Sequence, residues 1–167
     1  METDKNYLIH NLGMKSFMLE AINEASAGVK KGHGGPFGAV IIRNGKIIAR
    51  GHNRVLKTND PTMHAEIVAI RKAAKKLKRF DLSDCELYTS CEPCPMCLAA
   101  AEWAKIKKLY YGLTRKDAAK IGFSDEKIYR DVKNAPKTKL LKETQLHEKN
   151  EMKPFIEWKN KKNKKQY

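Results

Sequence analysis

The sequence lacks the features of an exported or membrane-spanning protein. It has no apolar run long enough to cross a bilayer, and residues 1–11 lack the charged, apolar and cleavage regions of a signal peptide. Only four cysteines occur in 167 residues, and three of them lie together. We therefore expect a cytoplasmic protein with reduced thiols and no membrane partner.

Internal repeats, Ser/Gly-rich linkers and shifts in composition that would separate two domains are also missing. A chain of this length buries about 70% of its unfolded surface and needs no disulfides to fold. We therefore predict a single domain over residues 1–167.

Acidic residues are scarce, because 19 Asp and Glu stand against 34 Lys and Arg and give a net charge of +15. Such a charge permits a polyanionic partner such as nucleic acid. The basic residues are 27 Lys and only 7 Arg, spread along the whole chain, whereas phosphate and base recognition favours the planar fork of Arg. A solvated, lysine-rich surface is the favoured interpretation, and a nucleic-acid partner is the alternative.

The hydrophobic pattern predicts helices that alternate with strands. Apolar residues recur at helical spacing over residues 11–29, although Gly13 is expected to interrupt the start of that helix. Two apolar segments, residues 37–42 and 46–51, flank Asn44-Gly45, which is a strong signal for a two-residue hairpin. Further strands are predicted at 85–89, 108–112 and 138–144, and this alternation indicates an α/β layer fold.

Three residues with metal-binding side chains lie at predicted helix starts. His64 falls in the first turn of a helix that Asp60 and Pro61 are expected to begin. Cys94 and Cys97 are three residues apart and share one face of the next helix. One His and two Cys leave the fourth position of a tetrahedral zinc ion for water. The sequence therefore predicts a zinc site with an open position.

A carboxylate follows the histidine after two residues, at Glu66. A structural zinc site has no use for such a group, whereas a hydrolytic site does. Zinc lowers the pKa of a bound water, and a nearby carboxylate can take the proton and return it to a leaving group. At this spacing Glu66 does not point in the same direction as His64, which suits a group that reaches the water without binding the metal.

Other uses of the cysteines remain open at this point. Cys91 would turn the site into a closed structural zinc site if it joined the other three ligands. A redox Cys-x-x-Cys pair would leave His64 and Glu66 unexplained. We favour Cys91 as a packed loop thiol and Cys85 as a buried strand residue. The other histidines, expected to face solvent or to form local bonds, are His10, His33, His52 and His147.

The two halves of the site match a known signature. His-x-Glu followed by Pro-Cys-x-x-Cys is typical of zinc-dependent nucleobase deaminases, and here it reads HAE at 64–66 and PCPMC at 93–97. With PFGAVI and NDPT upstream, the chain resembles the cytidine deaminase-like superfamily from about Ser16 to Tyr167. Within it, the segments most similar to those of bacterial guanine deaminases are GGPFGAVI, LYTSCEPCPMC, DAAKIGF and PFIEWKNKKNKKQY.

This resemblance implies a three-layer α/β/α sandwich around a mixed five-stranded sheet. It implies a homodimer in which the C-terminal segment, about residues 145–167, is exchanged between subunits. It also implies hydrolysis of guanine to xanthine and ammonia, with one zinc ion per subunit. His64, Cys94 and Cys97 would hold the zinc ion, and Glu66 would carry protons.

The resemblance further implies a set of substrate contacts. Asn53 would hydrogen-bond the purine, Asp125 would assist at the amino group, and Tyr167 would close the pocket, which Phe37 and Trp103 would line. Each residue also has a structural interpretation. Asn53 suits a turn, Asp125 suits a helix start, the two aromatic residues suit a core, and Tyr167 suits a frayed end.

Alternative functions stay open on the sequence. Guanosine, or adenosine in tRNA, is a possible substrate within the same superfamily. The segment RKDAAKIGFSD after the fourth predicted strand differs from that of tRNA adenosine deaminases. A protein of another class, a basic nucleic-acid-binding module stabilised by zinc and without catalysis, would bind RNA in a salt-sensitive manner and hydrolyse nothing.

Overall fold

A computed structural model describes residues 2–134 and 144–165, and side chains from residue 13 onward. Strands and helices alternate through the first of two compact units, residues 1–126; the second comprises residues 127–167. The strands are β1 (Gly38–Arg43), β2 (Lys46–His52), β3 (Cys85–Cys91) and β4 (Lys108–Leu113); the helices are α1 (Glu2–Lys30), α2 (Val55–Thr58), α3 (Ala65–Leu77), α4 (Pro95–Trp103), α5 (Arg115–Lys120), α6 (Glu126–Lys133) and α7 (Lys153–Asn160).

The described strands form one mixed sheet in the order β2-β1-β3-β4. β1 pairs antiparallel with β2 and β3, whereas β4 runs parallel to β3 after a crossover through α4. The predicted hairpin is confirmed, since Asn44 and Gly45 both have positive φ, at 50° and 67°. The sheet has four strands in the part of the chain that is described, and the fifth strand predicted at 138–144 lies, apart from Thr144, outside it.

Helices cover both faces of the sheet, so the three-layer prediction is confirmed. On one face Val40, Ile42 and Tyr88 pack against α1 around Ala21. On the opposite face Ala39, Ile41 and Leu87 belong to a core cluster with small residues of α3 and α4. Alternation along β1 therefore sends successive side chains into two separate cores.

The first helix is longer than predicted. It runs without a break from Glu2 to Lys30 and passes through Gly13, so the expected interruption is wrong. One glycine inside a helix lowers the stability of the helix by only about 1 kcal/mol relative to alanine. This is a small effect in a helix of 29 residues. No helix among the described residues is both long and apolar enough to span a membrane.

Close packing of α3 on the sheet sets the position of the residues that precede it. A Cβ atom on Gly51 in β2 would lie 2.4 Å from the carbonyl oxygen of Ala65, so only glycine permits this approach. Two lysines of α3 also cover the open edge of β2. Lys72 Nζ donates to the carbonyl of Arg50 at 2.8 Å, and Lys76 Nζ donates to that of Ile48 at 3.3 Å. These contacts block edge-to-edge pairing with another sheet.

Candidate metal and catalytic site

His64 stands at the N-cap of α3 in an extended conformation, with φ −69° and ψ 160°. The prediction that the helix begins at Asp60 is therefore wrong. Asp60 Oδ1 accepts hydrogen bonds from the backbone and hydroxyl groups of Thr62, which closes a separate turn before the helix. The helix starts at Ala65, and the imidazole of His64 is free to lie across the helix end.

Cys94 has the same place in α4 that His64 has in α3. It is the N-cap, also extended, and Pro95 opens the helix behind it. Cys97 lies in the first turn and is fully buried. His64 Nδ1 is 3.5 Å from the sulfur of Cys94 and 3.5 Å from that of Cys97. The two helix starts therefore bring the three predicted ligands together.

The geometry of this group fits a zinc ion. Zinc bonds of about 2.3 Å to sulfur and about 2.1 Å to nitrogen, at tetrahedral angles, put the two ligand atoms about 3.6 Å apart. The observed nitrogen–sulfur separations of 3.5 Å agree with this value. Among the described residues, His64, Cys94 and Cys97 form the one group whose ligand atoms all lie within 4.8 Å of one another. Cys91 is not in this group, so the closed four-ligand site is not formed.

The charges at the group favour a cation. A hydrogen bond from Cys97 lowers the pKa of Cys94 to about 4, and the same bond raises the pKa of Cys97. The contact with Cys94 raises the pKa of His64. Without metal, one proton is thus shared between two sulfurs. A divalent cation replaces that proton and stabilises both thiolates.

Glu66 is the buried carboxylate beside this group. Its Oε2 lies 3.4 Å from the sulfur of Cys97, and its Oε1 accepts a hydrogen bond from the hydroxyl of Thr89 at 3.1 Å. Burial raises the pKa of Glu66. A carboxyl group whose pKa is raised by burial is a better proton acceptor and donor for general acid–base catalysis than an ordinary carboxylate.

Thr89 was missed by the sequence reasoning. It lies in β3 and is fully buried, and its hydroxyl reaches Glu66 Oε1 across 23 positions of the chain. The available signal was a hydroxyl residue inside a predicted strand, two positions before Cys91. Such a residue requires a buried partner.

Asn53 is buried next to the end of β2 and has a fixed amide. Its Oδ1 accepts from the backbone N–H of Val55 at 3.1 Å, which leaves the amide NH₂ for another partner; none is seen within residues 2–134 or 144–165. A Cβ on Gly34 would lie only 2.1 Å from Oδ1. Both the turn interpretation and a hydrogen bond from the NH₂ group to a substrate are therefore compatible with this residue.

Two aromatic rings lie near this asparagine. The backbone N–H of Asn53 donates to the carbonyl of Phe37 at 2.9 Å. Phe37 is partly buried against the core and packs edge-on against Phe123, with 5.1 Å between ring centroids. Phe37 therefore combines a core role with a position next to Asn53.

Asp125 follows that second ring and immediately precedes α6. It is half-buried, and burial together with the negative charge of Cys94 raises its pKa. The negative charge of Asp125 also contributes to the raised pKa of the Cys91 thiol. The charge of Cys94 thus acts on Asp125, which also stands at a helix start, and its role at the amino group stays a prediction.

Of the remaining predicted contacts, Trp103 is not brought to the metal group. Trp103 is the last residue of α4, about 12 Å along the helix axis from Pro95, and 65% of it is exposed. Tyr167 lies outside the described residues. The roles of both stay predictions.

The two remaining cysteines are buried in β3, which confirms Cys85 as a buried strand residue, whereas Cys91 ends the strand and does not lie in a loop as predicted. Cys91 is buried, burial raises its pKa to about 11, and its thiol lies 3.5 Å from the carbonyl oxygen of Thr114. Cys85 is also buried with a pKa raised to about 11. All four cysteines are free thiols.

Comparison with known proteins agrees with this geometry. The model of the cytidine and deoxycytidylate deaminase zinc-binding region matches residues 13–113. The guanine deaminase of Bacillus subtilis is 47% identical over 153 residues, which are 92% of this chain and 98% of that protein. Its X-ray structure matches with a TM-score of 0.87 over the same shares of the two chains.

Other relatives match over a smaller part of the chain. The tRNA-specific adenosine deaminase of Aquifex aeolicus is 39% identical over 105 residues, 63% of this chain and 69% of that protein. A structure of guanine deaminase from Nitrosomonas europaea is 35% identical, with a TM-score of 0.63 over 66% of this chain and 64% of that one.

Proposed function

Because this chain belongs to the zinc-binding cytidine and deoxycytidylate deaminase family, we propose that it hydrolyses guanine to xanthine and ammonia. The observation that carries the proposal is the buried carboxylate of Glu66 beside the His64–Cys94–Cys97 group. The similarity over 92% of the chain to a guanine deaminase supports guanine as the substrate. The tRNA deaminases match a smaller share.

His64, Cys94 and Cys97 would hold the zinc ion, which when bound would supply an activated water as the nucleophile. Glu66 accepts a proton from the attacking water and delivers it to the amino nitrogen that leaves as ammonia. Thr89 holds one oxygen of this carboxylate by a hydrogen bond. The other oxygen lies on the side of Cys97 and the metal group. One carboxyl group thus serves both proton transfers.

Three residues recognise the base in this proposal. Asn53 offers its NH₂ group to an acceptor on the purine edge, since its oxygen is engaged by Val55. Phe37 provides an apolar wall, supported by its edge contact with Phe123. Asp125 assists at the amino group of guanine, and its partial burial, which raises its pKa, favours proton exchange there.

A homodimer completes the proposed enzyme. Four apolar residues of α4 and β4 are between 41% and 65% exposed, which supports a partner subunit against this face: Leu98, Trp103, Tyr111 and Leu113. In the proposed dimer Trp103 and Tyr167 contribute to the pocket, with Tyr167 provided by the exchanged C-terminal segment. A cytoplasmic location is supported by the four free thiols.

A substrate panel tests the proposal. Ammonia release is measured from guanine, guanosine, cytosine and tRNA, each with zinc-loaded protein and with protein treated with a chelator. We expect zinc-dependent release from guanine. Release from guanosine or tRNA at a higher kcat/KM would replace guanine as the substrate. Salt-sensitive RNA binding that is lost with the chelator, without ammonia release from any substrate, would favour the non-catalytic module.

A further inference from the structure

Three titratable side chains outside the metal group form a continuous hydrogen-bonded chain. Glu24 Oε2 in α1 lies 3.0 Å from Nδ1 of His52, the last residue of β2. His52 Nε2 lies 2.9 Å from Nδ1 of His33, just after α1. The two imidazole rings stack at 5.1 Å. The proposed reaction uses none of these three groups.

These three hydrogen-bonded side chains connect the two segments that surround Asn53. His52 immediately precedes Asn53, and His33 immediately precedes Gly34, whose backbone closely approaches the Oδ1 atom of Asn53. The carbonyl of His33 also accepts from the backbone N–H of Lys57 in α2 at 3.1 Å. Any displacement of His33 therefore moves the backbone that packs on Asn53.

The arrangement fixes where the protons lie. The carboxylate of Glu24 only accepts, so Nδ1 of His52 carries a proton. Nε2 of His52 then accepts from His33 or, when His52 carries a second proton, donates to His33. The bond between the rings exists in both cases. It is lost only when both imidazoles are protonated, because two N–H groups then face each other.

We propose that Glu24, His52 and His33 are positioning residues for base recognition: they hold the Gly34 segment against the amide of Asn53, so that its NH₂ group is oriented toward the purine. The proposal rests on the proposed function, in which Asn53 binds the base. It predicts an effect on KM, because these three residues affect the binding of the base and take no part in the proton transfers of Glu66.

The charges around His33 decide how this contact responds to pH. Lys31, Arg54 and Lys57 are the cations that act on it, and Glu24 is the acid at the other end of the chain. Partial burial and the charge of Lys57 lower the pKa of His33. His33 is therefore neutral at neutral pH, and because the bond is lost only when both rings are protonated, it persists at any pH above this lowered pKa. KM for guanine should rise on the acid side.

The test compares two substitutions at one position. His33→Leu removes the ring nitrogen, whereas His33→Asn keeps a polar side-chain atom near the place of Nδ1. We measure kcat and KM for guanine between pH 5 and 8, zinc content, and the dissociation constant for 8-azaguanine. Loss of one hydrogen bond should raise KM and this constant roughly five- to tenfold in His33→Leu, with kcat within about twofold.

His33→Asn should recover most of the affinity, and Glu24→Gln, which keeps an acceptor for His52, should show an intermediate effect. The acid-side rise in KM should be smaller in His33→Leu than in the wild-type protein. A wild-type KM for His33→Leu, or a loss confined to kcat, would overturn the positioning role while the proposed function stands. A wild-type protein that releases no ammonia from guanine would overturn both.

Discussion

The hydroxyl of Thr89 lies 3.1 Å from Oε1 of Glu66, and both residues are buried, with 0% and 5% of their surfaces exposed. A carboxylate in such a place is shielded from water. Its second oxygen is 3.4 Å from the sulfur of Cys97. Thr89 and Cys97 therefore contact one oxygen each of the proton-carrying group.

Replacing Thr89 with Val should lower kcat for guanine at least roughly tenfold, because a hydrogen bond to a charged group contributes about 1.5–3 kcal/mol. Val has nearly the same shape but cannot donate. Thr89→Ser is the matched control and should keep most of the activity. Steady-state kinetics on protein of equal zinc content provide the measurement, and an unchanged kcat in Thr89→Val would remove Thr89 from the account.

The cysteines offer a metal test with an internal control. Cys94→Ser should reduce bound zinc from about one ion per chain to a small fraction, because three protein ligands are needed to hold the ion. Cys91→Ser should leave zinc content unchanged, although Cys91 is only three residues away. Elemental analysis of the purified proteins decides the question. Equal zinc loss in the two variants would indicate the closed four-ligand site.

Asn53→Asp tests base recognition with little change in shape. The new side chain still accepts from the N–H of Val55, the bond made by Oδ1 of Asn53, but it has no NH₂ group to offer. We expect kcat/KM for guanine to fall roughly a hundredfold, as when a buried polar contact to a substrate is left unpaired. A retained kcat/KM would show that Asn53 has only its turn role.

The exchange of the C-terminal segment can be tested by mixing two inactive chains. The Glu66→Gln variant lacks the carboxyl group beside the metal group but keeps Tyr167. The Tyr167→Ala variant keeps Glu66 but lacks the terminal tyrosine. Co-expressed chains that pair at random should recover about a quarter of the wild-type activity if each tail completes the partner's site. Activity no greater than the sum of the two separate variants would place Tyr167 in its own subunit or outside the site.

Patterns that depend on neighbouring residues were predictable from the sequence. The hairpin follows from Asn44-Gly45, since both positions need positive φ, and the metal group follows from the spacing of Cys94 and Cys97 after a distant histidine. The helix start before His64 was misplaced because Asp60 can equally close its own turn. Local sequence does not distinguish these two uses of an aspartate.

Relationships set by tertiary packing were not predictable. Thr89 meets Glu66 only because α3 lies on the sheet next to β3. The bond between His33 and His52 joins the end of α1 to the end of β2, and no spacing in the sequence indicates it. The exposure of Trp103 likewise depends on which end of α4 faces the metal group.

The central claim is that Glu66 transfers the proton in a zinc-dependent deamination of guanine. Its most direct test is xanthine formation from guanine by wild-type protein and by Glu66→Gln, both with the same measured zinc content. General acid–base catalysis contributes roughly 10²–10⁴-fold, so the variant should keep its zinc and lose at least about a hundredfold in kcat. A Glu66→Gln protein that holds zinc and forms xanthine at nearly the wild-type rate would contradict the account.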